Sequence, residues 1–139
     1  MKYKLASSTW DHNEIEAIEK VIASDNYSMG KFVELYERDF ADFFDAKFCV
    51  MTSSGSTANL LMIASMFFLS DDSKRLKRGD EVIVPAVSWS TTYFPLQQYG
   101  LKVKFVDIDL QTLNFNLSAL EEAISEKTKV IFAVNLLGN

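Results

Sequence analysis

Apolar positions recur along this chain with two different spacings. Between residues 12 and 24, Ile15, Ile18, Val21 and Ile22 fall at helical intervals. Asp11 precedes Glu14 at the spacing of a capping box, so an amphipathic helix is predicted over residues 12 to 24. Turn formers fill Ser24 to Gly30. A second helix is predicted from Lys31 to Phe44, with Phe32, Leu35, Tyr36, Phe40, Phe43 and Phe44 on one face. That stripe reads as packing rather than as a cofactor box. Residues 1 to 10 carry no such period and read as extended or irregular.

After residue 47 the apolar positions form short continuous runs separated by longer helical patterns. Phe48-Cys49-Val50-Met51 reads as a buried strand, and Leu60 to Leu69 is long enough to be a core helix. Glu81-Val82-Ile83-Val84 is a second strand, stopped by Pro85, which cannot donate to a ladder. Ser88 to Tyr99 reads as a helix ending at Gly100. Pro95 in its middle should kink that helix or mark its true start. Lys102 to Asp107 is a third strand, Ser118 and Glu121 open a helix over residues 119 to 126, and Val130 to Val134 is a fourth strand.

Four strand–helix alternations with near-continuous apolar strands predict an α/β fold whose sheet is mostly parallel. The chain divides into an N-terminal helical segment, 1–46, and an α/β domain, 47–139. It stops at Leu136-Leu137-Gly138-Asn139, directly after a strand. The last crossover is unfinished, so the chain reads as the N-terminal piece of a longer protein, its sheet incomplete at the C-terminus.

The chain has 139 residues, of which 48% are hydrophobic, and a net charge of −5. One domain with a real core follows. Lys74, Arg75, Lys77 and Arg78 sit beside Asp71, Asp72 and Asp80, which cancels much of their field and argues against nucleic acid as a partner. The run from Leu60 to Leu69 is too short to span a bilayer, and Met1-Lys2-Tyr3-Lys4 opens no apolar signal segment. A cytoplasmic location away from membranes is expected. Cys49 is the single cysteine and is expected to be a buried small hydrophobe. With His12 as the single histidine, no metal site is expected.

Candidate chemistry centres on Thr52-Ser53-Ser54-Gly55-Ser56-Thr57-Ala58-Asn59, small hydroxylated residues around one glycine between a strand and a helix. The first four N–H groups of a helix lack intrahelical partners, and the dipole adds positive charge there. A phosphate group is the simplest ligand, and Gly55, having no Cβ, lets it come close. The alternative is that Ser53 or Ser54 merely caps the helix. Trp89 follows the second strand and could offer an exposed platform to a flat ring; the alternative is an ordinary buried tryptophan. Together they describe a phosphorylated planar heterocycle. Ligands of parallel sheets gather beyond the carboxyl ends of the strands. The Ser-Gly turn, Pro85 to Trp89, Asp107-Ile108-Asp109 and Asn135 are therefore expected on one rim. Gly-x-Gly-x-x-Gly and Gly-Lys-Ser/Thr are both absent, which argues against dinucleotides and the nucleotide P-loop. Ser56 lacks the Gly-x-Ser-x-Gly setting of a nucleophile. Pyridoxal phosphate fits one phosphate and few glycines better.

These residues resemble the DegT/DnrJ/EryC1/StrS family of pyridoxal-phosphate-dependent sugar-modifying enzymes. The likeness runs through Tyr27 to Val33, Ser53 to Asn59, Gly79 to Pro85 and Phe105 to Asp109, and is most specific from Pro85 to Gly100. Within the family the chain looks most like the hexulose 3-dehydrase branch, of the CDP-4-keto-6-deoxyglucose 3-dehydrase kind, which makes dideoxysugars for lipopolysaccharide. The resemblance implies the type I aminotransferase fold. It implies that Gly55 and Ser56 hold the cofactor phosphate through their amides and that Trp89 stacks on the pyridine ring. The cofactor would be pyridoxal phosphate, or pyridoxamine phosphate in a dehydrase. The resemblance also implies a nucleotide-linked keto-sugar substrate, a homodimer and, for a dehydrase, a reductase partner. The Tyr27 to Gly30 loop would contact a neighbouring site. Catalytic residues, and iron–sulfur ligands where the branch has them, are expected beyond Asn139. A sugar aminotransferase of the same family and an inactive binding or dimerisation module are the alternatives.

Overall fold

The structure, a computed structural model, describes residues 7–138. Residues 1–6, expected to be irregular, and Asn139 lie outside the described residues. The chain forms two units, Met1–Met51 and Thr52–Asn139.

The first unit holds helices α1 (His12–Ser24) and α2 (Lys31–Phe43). The capping box forms as the spacing predicts: Asn13 N donates to Asp11 Oδ1 at 2.7 Å, and Asp11 N donates to Glu14 Oε2 at 2.8 Å. Asp25 closes α1 in the left-handed region, at φ 51°, which short polar side chains tolerate. The aromatic stripe of α2 packs along itself, with ring centroids 5.4 Å apart for Tyr36–Phe40 and 4.7 Å for Phe40–Phe44. Only Ala41 of α2 is buried. The stripe expected to fill a core therefore remains largely uncovered.

The strand expected at Phe48 to Met51 does not form. A strand exists only as one side of a ladder, and none of the described strands pairs with this run. Phe48 and Val50 are exposed, and Cys49, expected to be buried, is only half-buried. The Met51 N–H donates instead to Glu37 Oε1 at 2.7 Å.

The second unit is the α/β part. Its elements are α3 (Gly55–Met66), β1 (Glu81–Pro85), α4 (Ser90–Gln98), β2 (Lys102–Val106), α5 (Leu117–Ala123) and β3 (Thr128–Ile131). The sheet is three-stranded and parallel, with order β2-β1-β3. The central strand is covered on both faces. Val82 and Val84 join Ile63, Leu76, Leu96 and Leu101 on one side, while Ile83 joins Val106 and Ala123 on the other. Alternation with period two sends these neighbours to opposite faces, and Val82, Ile83 and Val84 all have 0% exposure. Glu81 and Thr128 meet at a bulge, where Thr128 Oγ1 donates to Glu81 Oε1 at 2.8 Å.

Helix boundaries moved where local caps won. The core helix begins at Gly55, five residues before the apolar run, because Ser54 caps it. Helix α5 is capped by Asn116, whose Oδ1 accepts from Ala119 N at 3.0 Å, and not by Ser118. Helix α4 closes as expected: Leu101 N donates to Leu96 O and Gly100 N to Gln97 O, both at 2.9 Å. This is the Schellman pattern, with Gly100 at φ 73°. Pro95 neither starts nor ends α4 but sits inside it.

Candidate functional site

The turn before α3 caps the helix and leaves two of its amides over. Ser54 is extended, at φ −167° and ψ 165°, and its hydroxyl accepts from Thr57 N at 3.2 Å. Thr57 Oγ1 returns the bond by accepting from Ser54 N at 3.0 Å. Ala58 N already donates to Ser54 O at 2.9 Å. The capping box thus uses the third amide of the helix and the ladder uses the fourth. Among the described residues, the amides of Gly55 and Ser56 have no protein partner. These are the donors that a helix start leaves over. A Cβ built on Gly55 would meet nothing within 4 Å, so the glycine faces open space.

That space is a cavity of about 550 Å³, within the usual range of small-molecule sites, roughly 300–1,000 Å³. Gly55, Ser56 and Asn59 of the α3 region line it, with Ser88, Trp89 and Thr92 of the crossover after β1 and Phe132 to Val134 after β3. Trp89, whose alternative reading was a core residue, is 76% exposed. It is the N-cap residue of α4 and has extended backbone, at φ −72° and ψ 145°. Gly55, Ser56 and Trp89 therefore share one cavity. Among the described residues, no Asp, Glu, Lys, Arg or His lines it.

The polar groups around Trp89 are tied down. Thr92 is buried and its Oγ1 lies 2.8 Å from Ser88 Oγ. Tyr93 OH donates to Pro85 O at 2.9 Å, and burial pushes its phenol above the ordinary value. These bonds clamp the segment that carries the indole to the end of β1.

Two segments expected on this rim line pockets of their own. Asp109 lines a separate cavity with Gln111, Thr112 and residues 114–118, and its Oδ1 accepts from Gln111 N and Thr112 N, both at 2.9 Å. These backbone donors, Thr112 foremost, hold its carboxyl below the usual range. Asn135 lines a third pocket with Asn114, Phe115 and Leu117; this pocket shares Ala133 and Val134 with the first cavity. β2 lies on the far side of β1 from β3, and Asp109, which follows β2, lines a cavity apart from the one at the ends of β1 and β3.

Sequence reasoning gave no role to Asn59, although it lies in the quoted turn. Its Nδ2 donates to Thr91 O at 3.2 Å, 32 residues away. The available signal was Pro95. A proline inside a helix frees the carbonyl four residues earlier, here Thr91, which must then find another donor.

Comparison with known proteins places this geometry in context. Residues 8–139 match the model of the DegT/DnrJ/EryC1/StrS aminotransferase family. Over its whole length the chain is 63% identical to GDP-4-keto-6-deoxy-D-mannose 3-dehydratase of Yersinia pseudotuberculosis and covers 35% of that protein. The solved structure of the Escherichia coli GDP-4-keto-6-deoxy-D-mannose-3-dehydratase with bound hydrated pyridoxal phosphate superposes with a TM-score of 0.94 at 61% identity, covering 99% of this chain and 35% of that one. A variant GDP-4-keto-6-deoxymannose-3-dehydratase with bound GDP-perosamine gives the same TM-score, identity and coverage. The chain thus spans about a third of the length of these relatives.

Proposed function

The chain belongs to the DegT/DnrJ/EryC1/StrS aminotransferase family, and on that premise we propose that it forms the N-terminal part of a pyridoxal-phosphate-dependent nucleotide-sugar 3-dehydratase. The reaction is removal of the C3 hydroxyl from a 4-keto-6-deoxyhexose, on the route to dideoxysugars of lipopolysaccharide. A GDP carrier follows from the names of the relatives. The observation that carries the reading is the shared cavity of two free helix amides and an exposed indole.

The residues present fit the cofactor. Its phosphate is a dianion, and the amides of Gly55 and Ser56 are unpaired donors at the positive end of α3. The open space beside Gly55 admits the phosphate. The Trp89 face suits a pyridine ring and would exclude water from one side of it. When bound, the cofactor supplies an electron sink. Because no Asp, Glu, Lys, Arg or His among the described residues lines the cavity, this part of the enzyme binds and orients. Proton transfer then falls to residues from outside the cavity lining.

The division into a helical segment, 1–46, and a cofactor domain from residue 47 belongs to the same proposal. So do a homodimer, a cytoplasmic setting and a reductase partner, which rest on family likeness alone. An aminotransferase is the second reading, and identity above 60% to 3-dehydratases weighs against it.

Titration of the chain with pyridoxal phosphate, with phosphate-free pyridoxal in parallel, tests the site. Binding that depends on the phosphate and quenches Trp89 is expected. A folded chain indifferent to both compounds would leave a binding or dimerisation module as the better account.

A further inference from the structure

We propose that Asn59 is a positioning residue that sets the spacing between the phosphate cradle and the indole platform. The inference rests on the cofactor site argued above and assigns a role to a further residue of its lining. Pro95 has no N–H, so the carbonyl of Thr91, in the first turn of α4, lacks its helical donor. Asn59 Nδ2 fills that gap from α3 at 3.2 Å. Thr91 lies two residues after Trp89, and Asn59 lies one helical turn after Gly55. The bond therefore joins the turn that bears the indole to the turn that bears the free amides. Both bonded residues line the cavity. Asparagine is a poor helix former, and an apolar residue here would leave the Thr91 carbonyl without a donor.

Two jobs of Asn59 separate in a double variant. In Pro95→Ala, residue 95 regains an N–H and supplies the helical bond to Thr91 O, which makes Asn59 dispensable for satisfying that carbonyl. It does not replace the link between the two helices. In the full chain, Asn59→Ala should lower both Tm and pyridoxal-phosphate affinity. Asn59→Ala/Pro95→Ala should recover Tm while affinity stays down by about tenfold, the scale of one misplaced charge-assisted hydrogen bond. A cofactor-free readout goes with it: the Trp89 indole N–H resonance should shift in Asn59→Ala and remain shifted in the double variant. Recovery of affinity together with Tm in the double variant would overturn the proposal, as would an indole resonance that ignores Asn59. If the indole responds but no variant, nor the wild-type chain, binds pyridoxal phosphate, the helix link stands and the cofactor reading falls.

Discussion

Gly55 is the residue on which ligand binding and folding can be told apart. It occupies the first position of α3, behind an extended Ser54, and a side chain there would meet open space. Proline is favoured at this position because its missing N–H is an orphan in any case. Gly55→Pro should therefore fold with an unchanged or higher Tm while removing one phosphate donor and crowding the cradle. Pyridoxal-phosphate affinity should fall at least about tenfold, since hydrogen bonds to charged groups contribute roughly 1.5–3 kcal/mol. Calorimetric titration beside a melting curve checks this, and unchanged affinity would remove Gly55 from the site. Asp109 offers a second test. Backbone donation from Thr112 and Gln111 lowers its pKa from 3.8. A depressed folded pKa means that the stabilisation is present above the unfolded value and is lost as pH falls through the folded one. The Gln111 and Thr112 amide resonances should titrate with a midpoint below 3.8; a midpoint at or above that value would show that the turn does not favour the carboxylate.

At the scale of elements, capping signals were the most legible features. Asp11 and Glu14 gave the start of α1, and Gly100 gave the end of α4, because each acts through neighbours two to five residues away. Gly100→Ala should lower Tm by several degrees, since a Cβ at φ 73° costs about 1–2 kcal/mol. The space beside it is also tight, with Arg78 Nη1 3.2 Å from a built Cβ. Thermal unfolding followed by circular dichroism measures this, and an unchanged Tm would mean that the Schellman turn contributes little. The Phe48 to Met51 run was misread for a physical reason. Its apolar residues satisfy the local rule for a buried strand, but pairing is not a local property. Pro95 was legible as a problem and not as its solution, because Asn59 is distant in sequence.

For the whole molecule, exposed surface governs behaviour. Both outer strands, β2 and β3, leave a backbone edge unpaired within the three-stranded sheet, and open edges invite association. Phe43, Phe68 and Trp89 add exposed apolar area. The isolated chain should self-associate as its concentration rises, which light scattering would detect; a monodisperse monomer at high concentration would show these edges to be protected. The sequence by itself determined the α/β class, the caps of α1 and α4, the hydroxyl-rich turn before α3 and the presence of an aromatic after β1. Each of these depends on residues close together along the chain. Tertiary structure alone decided which strand ends are neighbours. With β1 at the centre, the turns after β1 and β3 meet at the start of α3, while Asp109, after β2, lines a separate cavity. Strand order is set by which faces bury which side chains across the sheet, and no local window of sequence contains that information.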